Sequence, residues 1–170
     1  MANEEHLTLL KKGVESWNKW RNENPEIKPD FSKADLRGIK LQKVNLSKSN
    51  LEEVKFQFSN LNNAILSGSR INKGKFQDVN LSSAQLDNTE LKQANFFEAK
   101  LEYANMENSN LMDAQFNEDT NLFKTNFKGA NLKNASGLME NQIRECFVNE
   151  ETILPDYFGE ETDDDFLLQM

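Results

Sequence analysis

Residues 91–106 read Leu-Lys-Gln-Ala-Asn-Phe-Phe-Glu-Ala-Lys-Leu-Glu-Tyr-Ala-Asn-Met, with an apolar residue at every fifth position, and this pattern decides the fold. It runs without a miss from Phe31 to Phe116 and fills 18 centre positions with Phe, Leu, Ile or Met. Two residues before most centres there is a small or β-branched side chain. One strict period over most of the 170-residue chain indicates a repeat architecture.

A period of five suits neither of the two regular secondary structures. Five residues turn a straight α-helix by about 500°, so the apolar set would drift around the helix. In a flat strand, an odd period would place successive centres on opposite faces. The centres stay together only if the chain turns a corner every five residues in the same sense, so that all of them point to one interior axis.

The phenylalanines indicate how many corners make one turn of this coil. Four of those at centre positions are 20 residues apart, and four corners of about 90° would close a square. Successive coils would then stack through parallel backbone hydrogen bonds about 4.8 Å apart. We therefore predict a single column of core phenylalanine rings, formed by Phe56, Phe76, Phe96 and Phe116.

The repeats resemble those of a known family, the pentapeptide repeat proteins, and are similar in particular to cyanobacterial members. The resemblance covers roughly residues 29–136. It implies an all-β solenoid, a right-handed quadrilateral parallel β-helix of about five coils, capped by short α-helices at both ends. The family signature A(D/N)LXX is similar to Ala34-Asp35-Leu36-Arg37-Gly38, Ala94-Asn95-Phe96, Ala104-Asn105-Met106 and Ala130-Asn131-Leu132-Lys133-Asn134.

The register slips once, because Leu122 follows Phe116 by six residues and not five. One residue is therefore inserted within residues 117–121. One interpretation is a bulge at a single corner, of the kind that β-structures tolerate. The other is a protruding loop that a partner recognises. We favour the bulge, since insertions in repeat arrays usually map to surface loops.

The segments outside the repeats are predicted to cover the two ends of the solenoid. Asn3 is placed to cap a helix with an apolar stripe from Leu7 to Trp17 that packs on the first coil. Met139, Ile143, Cys146 and Phe147 have the spacing of a second short helix. The predicted organisation is an N-terminal capping helix and linker at 1–28, the β-helix at 29–136, a C-terminal capping helix and extension at 137–158, and an acidic tail, predicted to be flexible, at 159–170.

Charge is distributed unevenly along the chain, whose net charge is −8. Residues 29–136 sum to +1, with +5 up to residue 77 and −4 beyond it, while residues 137–170 sum to −9. No apolar run is long enough to span a membrane, and the first residues lack the pattern of a signal peptide. With Cys146 as the only cysteine, we expect a cytoplasmic protein without an intrachain disulfide.

The sequence contains no recognisable catalytic, cofactor or metal motif, and we predict that the protein is not an enzyme. His6, the only histidine, is expected to be exposed to solvent, and Cys146 to pack under its helix. Because Leu and Phe centres fill the interior, no cavity of about 300 Å³ remains for a small-molecule substrate. Any activity must therefore use the outer surface.

Two departures from the repeat are candidate interaction sites. Phe97, Tyr103 and Phe123 occupy positions that are normally polar, as do Phe58 and Ile65 nearer the N-terminus. The first three, called here the aromatic patch, either are covered by the C-terminal segment or bind a protein, and the sequence favours neither. The tail carries an acidic-hydrophobic sequence that we interpret first as solvated and second as a docking motif. Its residues are Asp163, Asp164, Asp165, Phe166, Leu167 and Leu168.

These features favour a non-enzymatic protein-interaction module, a regulator or scaffold whose partner is another protein. One alternative, which the family resemblance implies, is a DNA mimic that inhibits or protects DNA gyrase. It needs a dense negative surface and is disfavoured because the repeats are near neutral. Nucleic-acid binding by the basic half is a second alternative, weakened because Arg37 and Arg70 are its only arginines. We expect a monomer with no membrane contact.

Overall fold

Every pentapeptide forms the same corner of the main chain. In the computed structural model, which describes residues 1–159, the carbonyl of each centre accepts a hydrogen bond from the N–H three residues later. Phe96 and Ala99 form such a β-turn, at 3.0 Å. Its third residue has a positive φ, which the sequence predicts for Gly38 and the structure also gives to 17 residues other than glycine. Tyr103 is one of them, at φ 59°.

Hydrogen bonds between successive coils hold these corners in place. The N–H of each positive-φ residue donates to a carbonyl of the next coil, as Tyr103 does to Phe123 at 3.0 Å. Isolated parallel bridges pair residues 20 apart, from Asp30 with Asn50 to Asn95 with Gln115. Within residues 1–159 no strand is longer than one such bridge. Four pentapeptides therefore make one turn of the coil, as the phenylalanine spacing predicts.

The centre residues form the core of the coil. Every centre from Phe31 to Leu132 is at most 2% exposed. The rings of the four phenylalanines 20 residues apart form one stack, with successive centroids 5.7, 4.9 and 5.3 Å apart. Phe76 and Phe96, in the middle of the stack, are almost parallel at 6°. Stacked rings contribute about 0.5–1.5 kcal/mol per pair beyond the burial of their area.

The N-terminal segment forms two helices where the sequence suggests one. Helix α1 spans Glu4–Lys11, and the Asn3 side chain caps it by accepting the N–H groups of residues 5 and 6. Helix α2 spans Val14–Glu23. The break falls at Gly13, whose φ of 116° is incompatible with a continuous helix.

Side chains of α2 bond to the open edge of the first coil. Trp17 is fully buried, and its indole N–H donates to the Asn45 carbonyl at 2.7 Å. The Asn18 amide donates to the Lys43 carbonyl at 2.9 Å and accepts the Asn45 N–H at 2.8 Å. These side chains supply the hydrogen bonds that a preceding coil would otherwise provide. The packing interpretation of the tryptophan stripe is therefore correct for Trp17.

The C-terminal segment continues the repeat for part of its length. Helix α3 spans only Glu140–Arg144, and a 3₁₀ helix spans Asp156–Phe158. The predicted helical stripe is wrong at Phe147, which pairs with Asn126 in a parallel bridge and is 49% exposed. No helix in residues 1–159 is long and apolar enough to cross a membrane.

His6 is not exposed as the sequence suggested, because α1 lies against the start of the coil. Its Nδ1 accepts the backbone N–H of Asp30 at 3.2 Å. The imidazole packs against three aromatic rings, with centroid distances of 6.2 Å to Trp17, 5.3 Å to Trp20 and 6.1 Å to Phe31. The bond to Asp30 requires an unprotonated Nδ1, so this arrangement fits neutral histidine.

Replacing Phe76 with Ala is expected to destabilise the protein by about 3–5 kcal/mol, because it opens a cavity between two stacked rings. The measurement is the free energy of unfolding from urea denaturation followed by circular dichroism. Phe58→Ala is the control, since Phe58 is 67% exposed and its loss should cost no more than about 0.5 kcal/mol. Equal effects of the two substitutions would contradict the ring stack.

Protonation of His6 is expected to destabilise the docked N-terminal segment. Burial lowers the pKa of His6 from its ordinary 6.5, against Glu5 and Asp30, which raise it, and together with Arg21, which lowers it. The unfolded chain therefore binds the proton more tightly, so stability is lost as the pH falls below 6.5. Melting temperatures between neutral pH and about pH 5.5 should fall less for His6→Phe, which keeps a ring but does not titrate. Parallel curves for the two proteins would refute this role.

Candidate interaction surface

The three residues of the aromatic patch lie on the outer surface. Phe97 and Phe123 are each 38% exposed and Tyr103 is 56% exposed. The C-terminal segment as far as Gly159 leaves all three accessible, so this part of the chain does not bury them. The tail residues 163–168 lie outside the described residues.

The coil register brings two members of the patch together and leaves the third apart. Phe123 follows the centre Leu122, and Tyr103 lies one coil earlier on the same side. Their rings meet edge to face at 90°, with centroids 5.6 Å apart. Within residues 1–159, Phe97 makes no ring contact with either of them. Tyr103 and Phe123 are called the aromatic pair below.

A lysine and an open groove adjoin the aromatic pair. The Lys124 ammonium lies 5.8 Å from the centroid of the Tyr103 ring and 5.2 Å from that of Phe123. A cation at this distance from an exposed ring contributes about 0.5–1 kcal/mol. The groove, called here the Lys124 groove, has a volume of about 360 Å³. It is lined by Tyr103, Ala104, Asn105, Lys124, Asn126, Lys128 and Phe147.

Sequence reasoning missed Phe147 as a surface residue of this groove. A detectable signal was present, because the five-residue spacing continues from Leu138 to Ile143 and Val148. In this register Phe147 directly precedes a centre, which is the outward bridge position of the repeat. The side chains at helical spacing suggested a helix face and hid the longer period.

The inserted residue forms a compact corner, as the bulge interpretation predicts. Thr120 is 2% exposed, and its hydroxyl donates to the Phe96 carbonyl at 3.0 Å. The Gln142 side-chain amide of α3 donates to the carbonyls of Asn117 and Thr120, at 3.0 and 2.8 Å. The corner is therefore held from two sides, and from Lys100 and Asn121 onward the bridges pair residues 21 apart.

The same six-residue corner occurs a second time near the C-terminus. Asn149-Glu150-Glu151-Thr152 repeats the pattern of Asn117-Glu118-Asp119-Thr120. The Thr152 hydroxyl donates to the Phe127 carbonyl at 3.0 Å and accepts the Asn149 N–H at 3.1 Å. The insertion is thus a reusable corner in which threonine replaces the usual small buried residue.

Reactive chemistry is not supported at the one cysteine. The Cys146 thiol donates toward the carbonyls of Gln142 and Leu122, at 3.2 and 3.4 Å. Burial, with a smaller contribution from Glu145, raises the pKa of Cys146 to about 12, so the thiol stays protonated at neutral pH. In residues 1–159 no three His, Cys, Asp or Glu side chains are grouped so as to hold a metal ion.

The geometry defines a β-solenoid of five-residue repeats, and the comparisons identify its family. A family model described as pentapeptide repeats matches residues 30–68 and 75–117 in eight copies. The chain belongs to the pentapeptide repeat family and has its right-handed β-helix fold. Comparison with curated proteins finds no match.

Solved structures with this fold come from several sources. A pentapeptide repeat protein from the Arabidopsis thaliana thylakoid lumen is 28% identical, with a TM-score of 0.61 over 63% of this chain and 73% of that one. Trypsin-treated QnrB1, a plasmid-mediated fluoroquinolone resistance protein, is 19% identical, with a TM-score of 0.49 over 82% of each chain. Rfr23 from the cyanobacterium Cyanothece 51142 is 20% identical, with a TM-score of 0.31 over 81% of this chain and 97% of that one.

Substituting Gln142 with Ala is expected to cost about 1–3 kcal/mol, because the carbonyls of Asn117 and Thr120 lose their donor near the buried end of the coil. Urea unfolding measures the loss. Glu140→Ala on the exposed side of the same helix removes only a surface ion pair with Arg144 and should cost no more than about 0.5 kcal/mol. A neutral Gln142→Ala would show that the corner does not depend on α3.

Proposed function

We propose that the protein is a non-enzymatic protein-interaction module, a regulator or scaffold that presents the outer faces of a rigid β-solenoid to another protein. The observation that carries the proposal is the exposure of Phe97, Tyr103 and Phe123 at repeat positions that are otherwise polar. Exposed apolar surface of this kind is typical of interaction sites. Tyrosine is also among the residues enriched in binding hot spots.

The packing of the solenoid supports a role at its surface. The buried centres fill the interior along the whole bridged region, so the grooves around the described coils open outward. A scaffold needs rigid faces, and inter-coil hydrogen bonds at every corner supply them. As part of the proposal, we take the tower as about five coils, closed by α1 and α2 at one end and by residues 137–158 at the other.

The covered ends favour a monomer. Unpaired backbone at the end of a solenoid invites pairing with another chain. The bonds from Trp17 and Asn18 occupy part of this edge, which supports a capping role for α2. We also place the protein in the cytoplasm, which the lone Cys146 with its protonated thiol supports.

DNA mimicry is not favoured by the charge of the repeats. Residues 29–136 sum to +1, and lysines group at one corner of the first coils, where Lys33, Lys55, Lys73 and Lys75 line one groove with Glu53. A mimic of the phosphate backbone would instead present a continuous acidic surface. Strong inhibition or protection in a gyrase supercoiling assay would reverse this ranking.

Replacing Phe97, Tyr103 and Phe123 together with Ser is expected to abolish partner capture from extracts of the native cell while the β-helix stays folded, because the changes remove apolar contact area without touching the core. Affinity capture with mass spectrometry measures the first outcome, and circular dichroism measures the second. Phe58→Ser is the matched control, since it removes an exposed ring elsewhere. Unchanged capture by the triple variant would rule out the aromatic patch.

A further inference from the structure

The Lys124 groove combines positive charge with apolar walls. Within residues 1–159, neither Lys124 nor Lys128 forms an ion pair. The apolar walls come from Tyr103, from Phe123 beside Lys124, and from Phe147, which is 49% exposed.

The acidic groups next to the groove are already engaged or turned to the main chain. The Glu107 carboxylate accepts a hydrogen bond from the Asn126 amide at 3.2 Å. Glu145 lies one coil beyond Lys124, and its backbone carbonyl accepts the Lys124 N–H at 2.9 Å. Two lysines, three aromatic rings and side-chain amides together fit an extended peptide that carries carboxylates next to bulky apolar residues.

The chain itself contains one such peptide. Residues 163–168 read Asp-Asp-Asp-Phe-Leu-Leu, with three carboxylates directly followed by three bulky apolar side chains. Outside this segment, the C-terminal part of the chain has no comparable run of acids joined to apolar residues. Charge and apolar character in the tail therefore match the two halves of the Lys124 groove.

The tail starts close enough to reach this groove. Gly159 follows the 3₁₀ helix, which comes three residues after Ile153, and Ile153 bridges Asn131 in the last coil. Phe147, one wall of the groove, belongs to the same coil. An extended chain spans about 13 Å from residue 159 to 163 and about 23 Å to residue 166, whereas one five-residue side of the coil spans at most about 17 Å.

We propose that residues 163–168 dock into the Lys124 groove of their own chain, with the aspartates at Lys124 and Lys128 and the apolar residues on Tyr103, Phe123 and Phe147. The consequence for partners rests on the proposed function: a partner that uses the aromatic pair displaces the tail and itself carries an acidic-hydrophobic segment. The tail then acts as an internal competitor that sets the threshold for binding.

Zero-length carbodiimide cross-linking of the full-length protein tests the docking directly, because it joins a lysine amine to a carboxylate only when the two are in contact. Peptide mass spectrometry identifies the linked pairs. We expect residues 163–165 to link to Lys124 and Lys128. A mixture of unlabelled and ¹⁵N-labelled protein separates links within one chain from links between chains, and we expect links within one chain.

Two variants distinguish a docked tail from random encounters. Tyr103→Ser with Phe123→Ser keeps both lysines but removes the ring walls, and should lower the yield of these links about tenfold, as for a loss of about 1.4 kcal/mol. Phe58→Ser is the matched control and should leave the yield unchanged. Lys73 and Lys75 are internal controls, since they lie in a groove without aromatic walls.

Three results would overturn the docking. They are links spread equally over Lys73, Lys75 and Lys124, links found only between labelled and unlabelled chains, and a yield that the double variant does not change. Each of these is measured without any partner, so a failed partner capture would count against the proposed function alone.

Discussion

The hydrogen bond from each positive-φ corner residue to the next coil is the interaction on which the rest of this structure depends. Residues other than glycine are strained at φ near 60°, and each such corner costs on the order of 1 kcal/mol or more. A single coil could not sustain these corners, because its own turns supply only one hydrogen bond each. Stacking adds bonds above and below and buries the centres, so the coils are stable only as a stack.

This dependence explains the structure of the two ends. Where no further coil follows, something else must satisfy the backbone, and side chains do so. Trp17 and Asn18 bond to main-chain atoms of the first coil, and Gln142 bonds to the carbonyls of the inserted corner near the last. The irregular residues are therefore substitutes for a missing coil, made of groups that both donate and accept or that reach across the end.

The same constraint concentrates function in departures from the repeat. A corner requires a positive φ and a free path for the backbone, but it does not specify the outward side chain. Tyr103 occupies a position where lysine, asparagine or serine serves equally well elsewhere, so its aromatic ring is not required for folding. The Lys124 groove forms because two such free choices, at Tyr103 and Phe123, fall in successive coils and pack edge to face.

Periodicity alone determined the class of fold, the four-sided coil, the buried centres and the stack from Phe56 to Phe116, since each follows from repeated short-range geometry. It also located the inserted residue and the aromatic patch. Only the tertiary structure decided the surroundings of His6, the bonds of Gln142 and the place of Phe147, because each depends on side chains more than 20 residues apart at ends where the period is broken. A repeat specifies which residues share a column, whereas contacts at its ends depend on how the covering segments pack in three dimensions.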